Sequence, residues 1–271
     1  MSEKLLKLAI STLSVITLGN GHCSAAIPSN ITTVQNTLIT TPQIAENPIE
    51  IARKITVRII TNSGGGSGVL IGKYGNTYTI LTNNHVVLSI GNSKYTILTA
   101  DGISHQGQLI KSPQFKNLDL AIIQFDSSYN YRIAEIAQSD NLLLGEAVYA
   151  AGFPNWYWVD RRTPISTANW GLKALKVTTG TLKMVLPNPL VFGYQIGYTN
   201  NVENGMSGGP VINAQGYLIG INGRLKYPFK GISSYKFVDQ SMPSQQQFLQ
   251  MQALSWAIPI TAFKQVISIN N

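Results

Sequence analysis

The sequence predicts an all-β fold made of two packed β-barrels. Charged residues are only 12% and hydrophobic residues 44% of the 271, and glycine occurs 24 times, a profile that favours many short strands over a helical bundle. Short apolar or alternating runs recur between clusters of turn-forming residues. These runs fall into two sets of about six, so we expect one barrel from each set and a crossover between them near residues 124–145.

The first set of strands follows a short helix. Asn47 and Pro48 open a segment that ends in Arg53 and Lys54, a pattern typical of a capped helix with a basic C-terminal end. From Ile55 onward the apolar pattern changes to that of strands. We predict strands at 55–60, 68–72, 78–82, 95–99 and 118–125.

The second set is followed by a closing helix. Thr261 is a candidate helix N-cap, and we predict a short C-terminal helix over residues 261–269. A hairpin turn is expected at residues 214–216. Strands are predicted at 147–151, 175–185, 192–198, 211–213 and 217–222, with a last extended piece at 258–260.

The N-terminus has the pattern of a secretory signal. Lys4 and Lys7 precede an apolar stretch over residues 8–18, and small residues occupy positions 24–26. We therefore predict a signal peptide over 1–26, an extended lead-in over 27–48 and one domain over 49–271. A short N-terminal anchor helix is the alternative for the first segment. We expect no integral membrane segment after signal cleavage, because no later apolar run is long enough to span a bilayer.

The cysteine count and the charge narrow the protein class further. Cys23 is the only cysteine and lies inside the predicted signal, so the mature chain is expected to be exported and free of disulfides. The net charge is +8, which is compatible either with attraction to acidic partners or with general solubility. Because the basic residues are scattered and form no run of five, we favour solubility and expect no nucleic-acid partner.

Segment 205–210, with the sequence GMSGGP, contains a Gly-x-Ser-x-Gly pattern that fits two unrelated hydrolase designs. In the α/β-hydrolase design the base histidine follows the serine in the chain. Here all three histidines, His22, His85 and His105, precede Ser207. The sequence therefore favours the order histidine, acid, serine.

Ser207 is a candidate nucleophile that requires a base and backbone donors. Gly205 and Ser207 can direct their N–H groups at a developing oxyanion. His85, at the end of an apolar strand, is the candidate base, with a buried structural histidine as the alternative. His105 is expected on an exposed hairpin. Asp119 heads an apolar strand and is the candidate orienting acid, with a structural salt bridge or cap as the alternative.

These motifs together resemble a known family. In the same order along the chain, they are similar to the three catalytic motifs of trypsin-like serine proteases, most closely to the disulfide-free bacterial branch. The resemblance covers about residues 49–265. The segments that carry it are 81–87, 118–122 and 205–210, supported by 66–69 and 218–223.

The resemblance implies a fold and a triad. The family has two perpendicular six-stranded antiparallel barrels with the active site in the cleft between them. The resemblance makes His85 the base, Asp119 its orienting acid and Ser207 the nucleophile that forms an acyl-enzyme. The N–H groups of Gly205 and Ser207 would form the oxyanion hole. Met206 replaces the aspartate that digestive members use for N-terminal activation, so that mode of zymogen control is not expected.

The resemblance also indicates candidate substrate-binding residues. Ile221, Asn222 and Gly223 would form the edge strand that pairs with the substrate backbone. Asn201 stands where trypsin has the aspartate that selects basic side chains, and Asn222 stands where glutamyl endopeptidases have a histidine. Neither a basic nor an acidic preference therefore follows, although Glu203 lies close enough for a weak basic preference.

We expect a secreted or periplasmic serine endopeptidase whose partner is a protein or peptide substrate. No cofactor is expected, because the sequence has no metal, nucleotide or haem motif. Two alternatives remain: a catalytically silent relative that binds peptides in the same cleft, and an esterase that uses the same triad. Segment 155–171, with three tryptophans, is either a substrate-facing flap or a loop pinned by aromatic packing.

Overall fold

The computed structural model describes residues 46–268 except 62–63, 89–93, 111–114, 116, 139–141 and 161. The predicted signal peptide, and the predicted lead-in up to residue 45, lie outside the described residues. The rest of the predicted domain belongs to one compact unit.

The first barrel is closed and contains six antiparallel strands in the order β1-β2-β3-β6-β5-β4. Its interior is filled by the apolar side chains that alternate along these strands, such as Val57 and Ile59 from the first strand and Ile80 from the third. The strands are β1 (Thr56–Thr61), β2 (Gly64–Tyr74), β3 (Thr77–Thr82), β4 (Lys94–Leu98), β5 (Ser104–Ile110) and β6 (Ala121–Asp126).

The second barrel is also closed, and residues 127–146 connect it to the first. In chain order the remaining strands are β7 (Ala147–Gly152), β8 (Trp156–Trp158), β9 (Pro164–Ser166), β10 (Lys176–Val185), β11 (Ile196–Tyr198), β12 (Pro210–Asn213), β13 (Leu218–Arg224) and β14 (Ser255–Pro259). The barrel order is β10-β11-β14-β13-β12-β7, whereas β8 and β9 form a separate two-stranded hairpin.

The helices are short. They are α1 (Pro48–Ile55), α2 (Asn84–Val87), α3 (Gln245–Met251) and α4 (Ile260–Ser268). Helix α1 begins where Asn47 Oδ1 accepts a hydrogen bond from the Ile49 N–H at 2.9 Å, and Ser244 and Gln247 form a capping box at the start of α3. No helix among the described residues is long and apolar enough to cross a membrane.

The predicted fold class, with two six-stranded barrels and a C-terminal helix, is confirmed. The prediction missed β5, because its sequence is polar and lacks a clean apolar alternation. His105 was expected on an exposed hairpin, but it lies within β5. There its ring centroid is 4.8 Å from that of Phe125, and its Nε2 is 2.8 Å from Tyr131 Oη.

Asn200 fixes the chain immediately before the segment that leads to Ser207. Its buried amide donates hydrogen bonds to the carbonyl oxygens of Val148, at 3.1 Å, and Thr178, at 2.7 Å. The backbone carbonyl of Asn200 accepts a hydrogen bond from the Ser255 hydroxyl at 2.9 Å. These contacts connect strands β7, β10 and β14 to one residue.

We expect Asn200→Ala to lower the free energy of unfolding by about 1–3 kcal/mol, because it removes the buried amide donor and leaves its acceptors on Val148 and Thr178 without this partner. Urea unfolding measures the change. Asn130→Ala is the matched control: Asn130 is exposed and bonds to the Lys73 ammonium, so its loss should cost no more than about 0.5 kcal/mol. Equal effects for the two variants would contradict this role of Asn200.

Candidate active site

His85 and Asp119 make a two-point contact. The His85 backbone N–H donates to Asp119 Oδ1 at 2.9 Å, and His85 Nδ1 lies 2.6 Å from Asp119 Oδ2. Because an ionised carboxylate only accepts hydrogen bonds, Nδ1 is the donor in this pair. The His85 side chain is 46% exposed and that of Asp119 only 12%. The carboxylate thus fixes the ring from the buried side, and among the described residues Nε2 has no hydrogen-bond partner.

The position of Asp119 is set by backbone contacts with both barrels. Its carbonyl oxygen accepts a hydrogen bond from Asn83 Nδ2 at 2.8 Å, next to the helix that carries His85. Its N–H donates to the Phe192 carbonyl at 3.0 Å, in the segment between β10 and β11. The acid is therefore located at the junction of the barrels.

Tyr194 is a further partner of Asp119 that sequence reasoning missed. Its hydroxyl donates to Asp119 Oδ2 at 2.5 Å, and the guanidinium carbon of Arg224 lies 4.4 Å from the centre of its ring. Burial and the adjacent Asp119 charge raise the pKa of Tyr194 well above its usual value. A tyrosine within an apolar strand pattern carries no signal of such a contact, since Tyr is common in strands for packing alone.

The loop that carries Ser207 lies against the first barrel. The Ser207 carbonyl accepts a hydrogen bond from the Ser67 N–H at 2.8 Å. Gly208, at φ 85°, lies so close to β3 that a Cβ on it would overlap Thr82 Oγ1 and lie 3.1 Å from the Asn83 nitrogen. Ser207 is therefore adjacent to a residue that packs on the strand end leading into His85.

The side chain of Ser207 is half-buried. Within the part of the chain that the structure describes, its hydroxyl makes no hydrogen bond to the His85 ring. Hydrogen bonds between a nucleophile and its base are often long in the free enzyme and tighten when substrate binds.

Two backbone donors beside Ser207 are available to an external acceptor. The carbonyl of Gly205 accepts a hydrogen bond from Ser67 Oγ at 2.8 Å, and the N–H of Met206 donates to the Glu203 carbonyl at 2.9 Å. Among the described residues, neither Gly205 N–H nor Ser207 N–H donates to a protein acceptor. The peptide group between Gly205 and Met206 is thus held by Ser67 and Glu203, while the N–H groups of Gly205 and Ser207 on either side of it remain unused.

The predicted substrate-binding residues of β13 differ in accessibility. Ile221 pairs with Pro210 on one side and Ile258 on the other. Asn222 is fully buried, and its side chain bonds to Tyr198 Oη and to the Ala151 carbonyl. Its backbone is bonded to residues 208 and 209. Both residues are thus occupied within the barrel. Gly223, the third predicted residue, lies where the register between β13 and β14 shifts, between Asn222 and Arg224.

The other two predicted pocket residues lie before the nucleophile loop. Asn201 is exposed. Glu203 forms an ion pair with the Lys176 ammonium, with its side chain 25% exposed. Because the Lys176 ammonium neutralises the Glu203 carboxylate, Glu203 attracts a basic ligand only weakly.

Segment 155–171 forms the hairpin of β8 and β9 and lies beside the nucleophile loop. The Asn155 N–H donates to the Asn204 carbonyl at 2.8 Å, and Asn155 Nδ2 donates to the Gly65 carbonyl at 3.1 Å. Tyr157 packs against Trp170 with ring centroids 5.3 Å apart, while Trp156 and Trp158 are about half-exposed. The segment thus combines aromatic packing with exposed aromatic side chains next to the candidate site.

Two closed β-barrels around a histidine–aspartate pair and a Gly-x-Ser-x-Gly loop define the trypsin-like class of serine peptidases. Residues 66–221 match the family model described as a trypsin-like peptidase domain. The chain therefore belongs to the trypsin-like peptidase family.

Its relatives include several proteases named as Do-like. The chain is 32% identical over 175 residues to the serine protease Do-like HtrB of Bacillus subtilis, a match that covers 63% of this chain and 35% of the relative. It is 30% identical over 184 residues to the probable periplasmic serine protease do/HhoA-like of Haemophilus influenzae, covering 68% of this chain and 35% of the relative. The chain thus spans about a third of the length of these relatives.

The fold is also found in a solved structure. An HtrA-type protease with tripeptide matches with a TM-score of 0.58 and 23% identity, over 82% of this chain and 62% of the other. At this identity the match supports the fold alone.

We expect Ser67→Ala to lower both kcat and stability. The substitution removes the donor to Gly205 O and the acceptor of the Phe153 N–H, each at 2.8 Å, so two buried backbone groups lose their partner at an estimated cost of about 1–3 kcal/mol each. Because the peptide group between Gly205 and Met206 then keeps only its bond to the Glu203 carbonyl, the adjacent oxyanion donors are less firmly oriented and hydrolysis should fall by about tenfold or more. Steady-state kinetics and thermal unfolding measure the two effects.

Ser127→Ala is the matched control. Ser127 is also buried, its hydroxyl accepts a hydrogen bond from the Tyr129 N–H, and it follows β6 at the end away from the site. It should lose some stability and keep its kcat. If Ser67→Ala lost stability but kept the wild-type kcat, the orientation of Gly205 by Ser67 would be unimportant for turnover.

Proposed function

We propose that the chain is an exported serine endopeptidase that hydrolyses peptide bonds through His85, Asp119 and Ser207. The observation that supports this most strongly is the two-point contact between His85 and Asp119, located beside a nucleophile loop with two unused backbone donors. A structural histidine would need neither a half-exposed ring nor the neighbouring serine loop.

The first half of the reaction forms an acyl-enzyme. His85 Nε2 accepts the Ser207 hydroxyl proton as the oxygen attacks the carbonyl carbon of the substrate. Asp119 stabilises the resulting imidazolium through Nδ1, and the N–H groups of Gly205 and Ser207 bind the oxyanion. When the tetrahedral intermediate collapses, His85 gives its proton to the leaving amine and the acyl group remains on Ser207.

The second half releases the acyl group. A water molecule loses a proton to His85 Nε2 and attacks the ester carbonyl, forming a second oxyanion at the same two donors. Collapse breaks the bond to Ser207 Oγ, which regains its proton from His85. The products are a carboxylic acid and an amine, and the enzyme returns to its starting state.

Substrate selection by a charged pocket residue is not supported. Glu203 is balanced by Lys176, and Asn201 carries no charge. We place the main-chain pairing with the substrate at Gly223, where the register between β13 and β14 shifts, so the substrate is bound mainly through its main chain at this point. We therefore infer a protein or peptide substrate without a strong preference for a basic side chain at the cleavage site.

Export is supported from outside the site. Residues 1–26 have the pattern of a secretory signal, and the sequence after them contains no cysteine. One relative is named as a probable periplasmic protease. We infer a secreted or periplasmic location.

A fluorophosphonate probe should label the wild-type chain at Ser207. Ser207→Ala should abolish labelling and reduce peptide hydrolysis at least about a thousandfold, because the serine is the acyl acceptor. Ser244→Ala is the control, since Ser244 is an exposed helix cap and should keep full labelling. Peptide binding without labelling would instead identify a catalytically silent relative, and unchanged hydrolysis by Ser207→Ala would refute the proposed nucleophile.

Matched peptide and ester substrates separate the proposed activity from an esterase. We expect Ser207-dependent cleavage of both, since acyl transfer to serine is common to them. An enzyme that cleaves only the ester, with no amide hydrolysis above background, would contradict the endopeptidase proposal.

A further inference from the structure

We infer that Tyr194 is a positioning residue of the catalytic apparatus: it fixes the Asp119 carboxylate that orients His85, and it does so because Arg224 stacks on its ring and Gly223 leaves room for its hydroxyl. This inference rests on the proposed function. Tyr194 does not touch the reacting atoms in this scheme, and its effect reaches them through Asp119 and His85.

The carboxylate of Asp119 is fixed by three donors. Oδ1 accepts from the His85 N–H at 2.9 Å, while Oδ2 accepts both from His85 Nδ1 at 2.6 Å and from Tyr194 Oη at 2.5 Å. Without Tyr194, both remaining donors belong to His85, the residue that has to be oriented. Tyr194 therefore supplies the only carboxylate contact, among the described residues, that is independent of the base.

Arg224 fixes the ring of Tyr194. Its guanidinium carbon lies 4.4 Å from the ring centre, within the range of a cation–π contact. The two terminal nitrogens donate to the carbonyls of Ser234, at 2.6 Å, and Val191, at 3.1 Å. These two hydrogen bonds hold the guanidinium on one face of the Tyr194 ring. It cannot turn away from the ring without breaking both of them.

Charged and titratable groups surround the Asp119 carboxylate on both sides. Asp119 bonds to His85 and Tyr194, the Arg224 cation acts on both Tyr194 and Asp119, and the phenols of Tyr198 and Tyr235 lie close to Tyr194 and Arg224, respectively. Burial lowers the pKa of Arg224, but arginine remains charged at any working pH. Because the pKa of Tyr194 is raised, its hydroxyl stays protonated and remains a donor.

Gly223 makes the contact between Tyr194 and Asp119 possible. A Cβ on residue 223 would overlap Tyr194 Oη and lie 2.6 Å from its Cε1. Any other residue at 223 would therefore displace the tyrosine from Asp119 or be displaced itself. Positions 223 and 194 therefore depend on each other: the absence of a side chain at Gly223 in β13 leaves the space that the Tyr194 hydroxyl occupies.

The shared oxygen predicts a direction for the pH dependence. Since Tyr194 and His85 Nδ1 bond to the same Oδ2, the hydroxyl reduces the share of negative charge that is available to the imidazolium. Removal of the hydroxyl leaves a stronger acceptor for Nδ1, which favours the protonated base. The acid limb of the kcat/KM profile should therefore move to higher pH.

Tyr194→Phe tests this role, because it deletes the hydroxyl and keeps the ring under Arg224. We expect kcat to fall about ten- to a hundredfold through loss of orientation, with KM changed less than about twofold. The acid limb should shift upward by a measurable fraction of a pH unit. Tyr198→Phe is the matched control: Tyr198 is equally buried and its hydroxyl bonds to Asn222, so that variant should keep the wild-type pH profile.

A spectroscopic readout makes the test independent of turnover. The His85 Nδ1 proton should change its NMR resonance in Tyr194→Phe, because its acceptor oxygen loses a competing donor. His105 is an internal reference, since its Nε2 faces Tyr131 in the first barrel. If the His85 resonance and the pH profile are the same in wild type and Tyr194→Phe, or if Tyr198→Phe shifts them equally, the positioning role is refuted while Ser207 labelling still decides the proposed function.

Gly223→Ala gives a second approach without deleting an atom of the network. The added methyl group would push the hydroxyl away from Asp119, so the acid limb should move in the same direction as in Tyr194→Phe. A wild-type pH profile in a folded Gly223→Ala variant would contradict the proposed dependence on this glycine.

Discussion

A single buried serine in the first barrel determines where the nucleophile of the second barrel lies. Ser67 donates its N–H to the Ser207 carbonyl and its hydroxyl to the Gly205 carbonyl, and it accepts the Phe153 N–H, all at 2.8 Å. Its own carbonyl accepts from Thr82 Oγ1 at 2.7 Å, at the strand end that leads to His85. The base and the nucleophile come from different barrels, so their relative position depends on this junction.

The second requirement is electrostatic. Asp119 places a carboxylate at a mostly buried position, which is costly unless strong donors surround it. The structure supplies them from both barrels: His85 from the first, and Tyr194, supported by Arg224, from the second. Removing the carboxylate from the junction would therefore leave donors of both barrels without their common acceptor.

Sequence reasoning was sufficient where the signal is local. The alternation of Val57 and Ile59 marks a strand, and the segments around His85 and Ser207 have recognisable spacing. It could not assign Tyr194 or Ser67, because their importance arises from residues 75 and 138 positions away. Nor could it show that Asn222 is enclosed, since the same polar residue fits an open pocket equally well.

β13 carries both a predicted substrate contact and two residues that position the acid. Gly223 is the residue proposed to pair with the substrate backbone, and its missing side chain accommodates the Tyr194 hydroxyl. The next residue, Arg224, is committed to the face of the same ring. A substrate strand that pairs with Gly223 would therefore press on the segment that positions Asp119. Gly223 and Arg224 therefore cannot change freely to suit a different substrate, because both also position the Asp119 carboxylate.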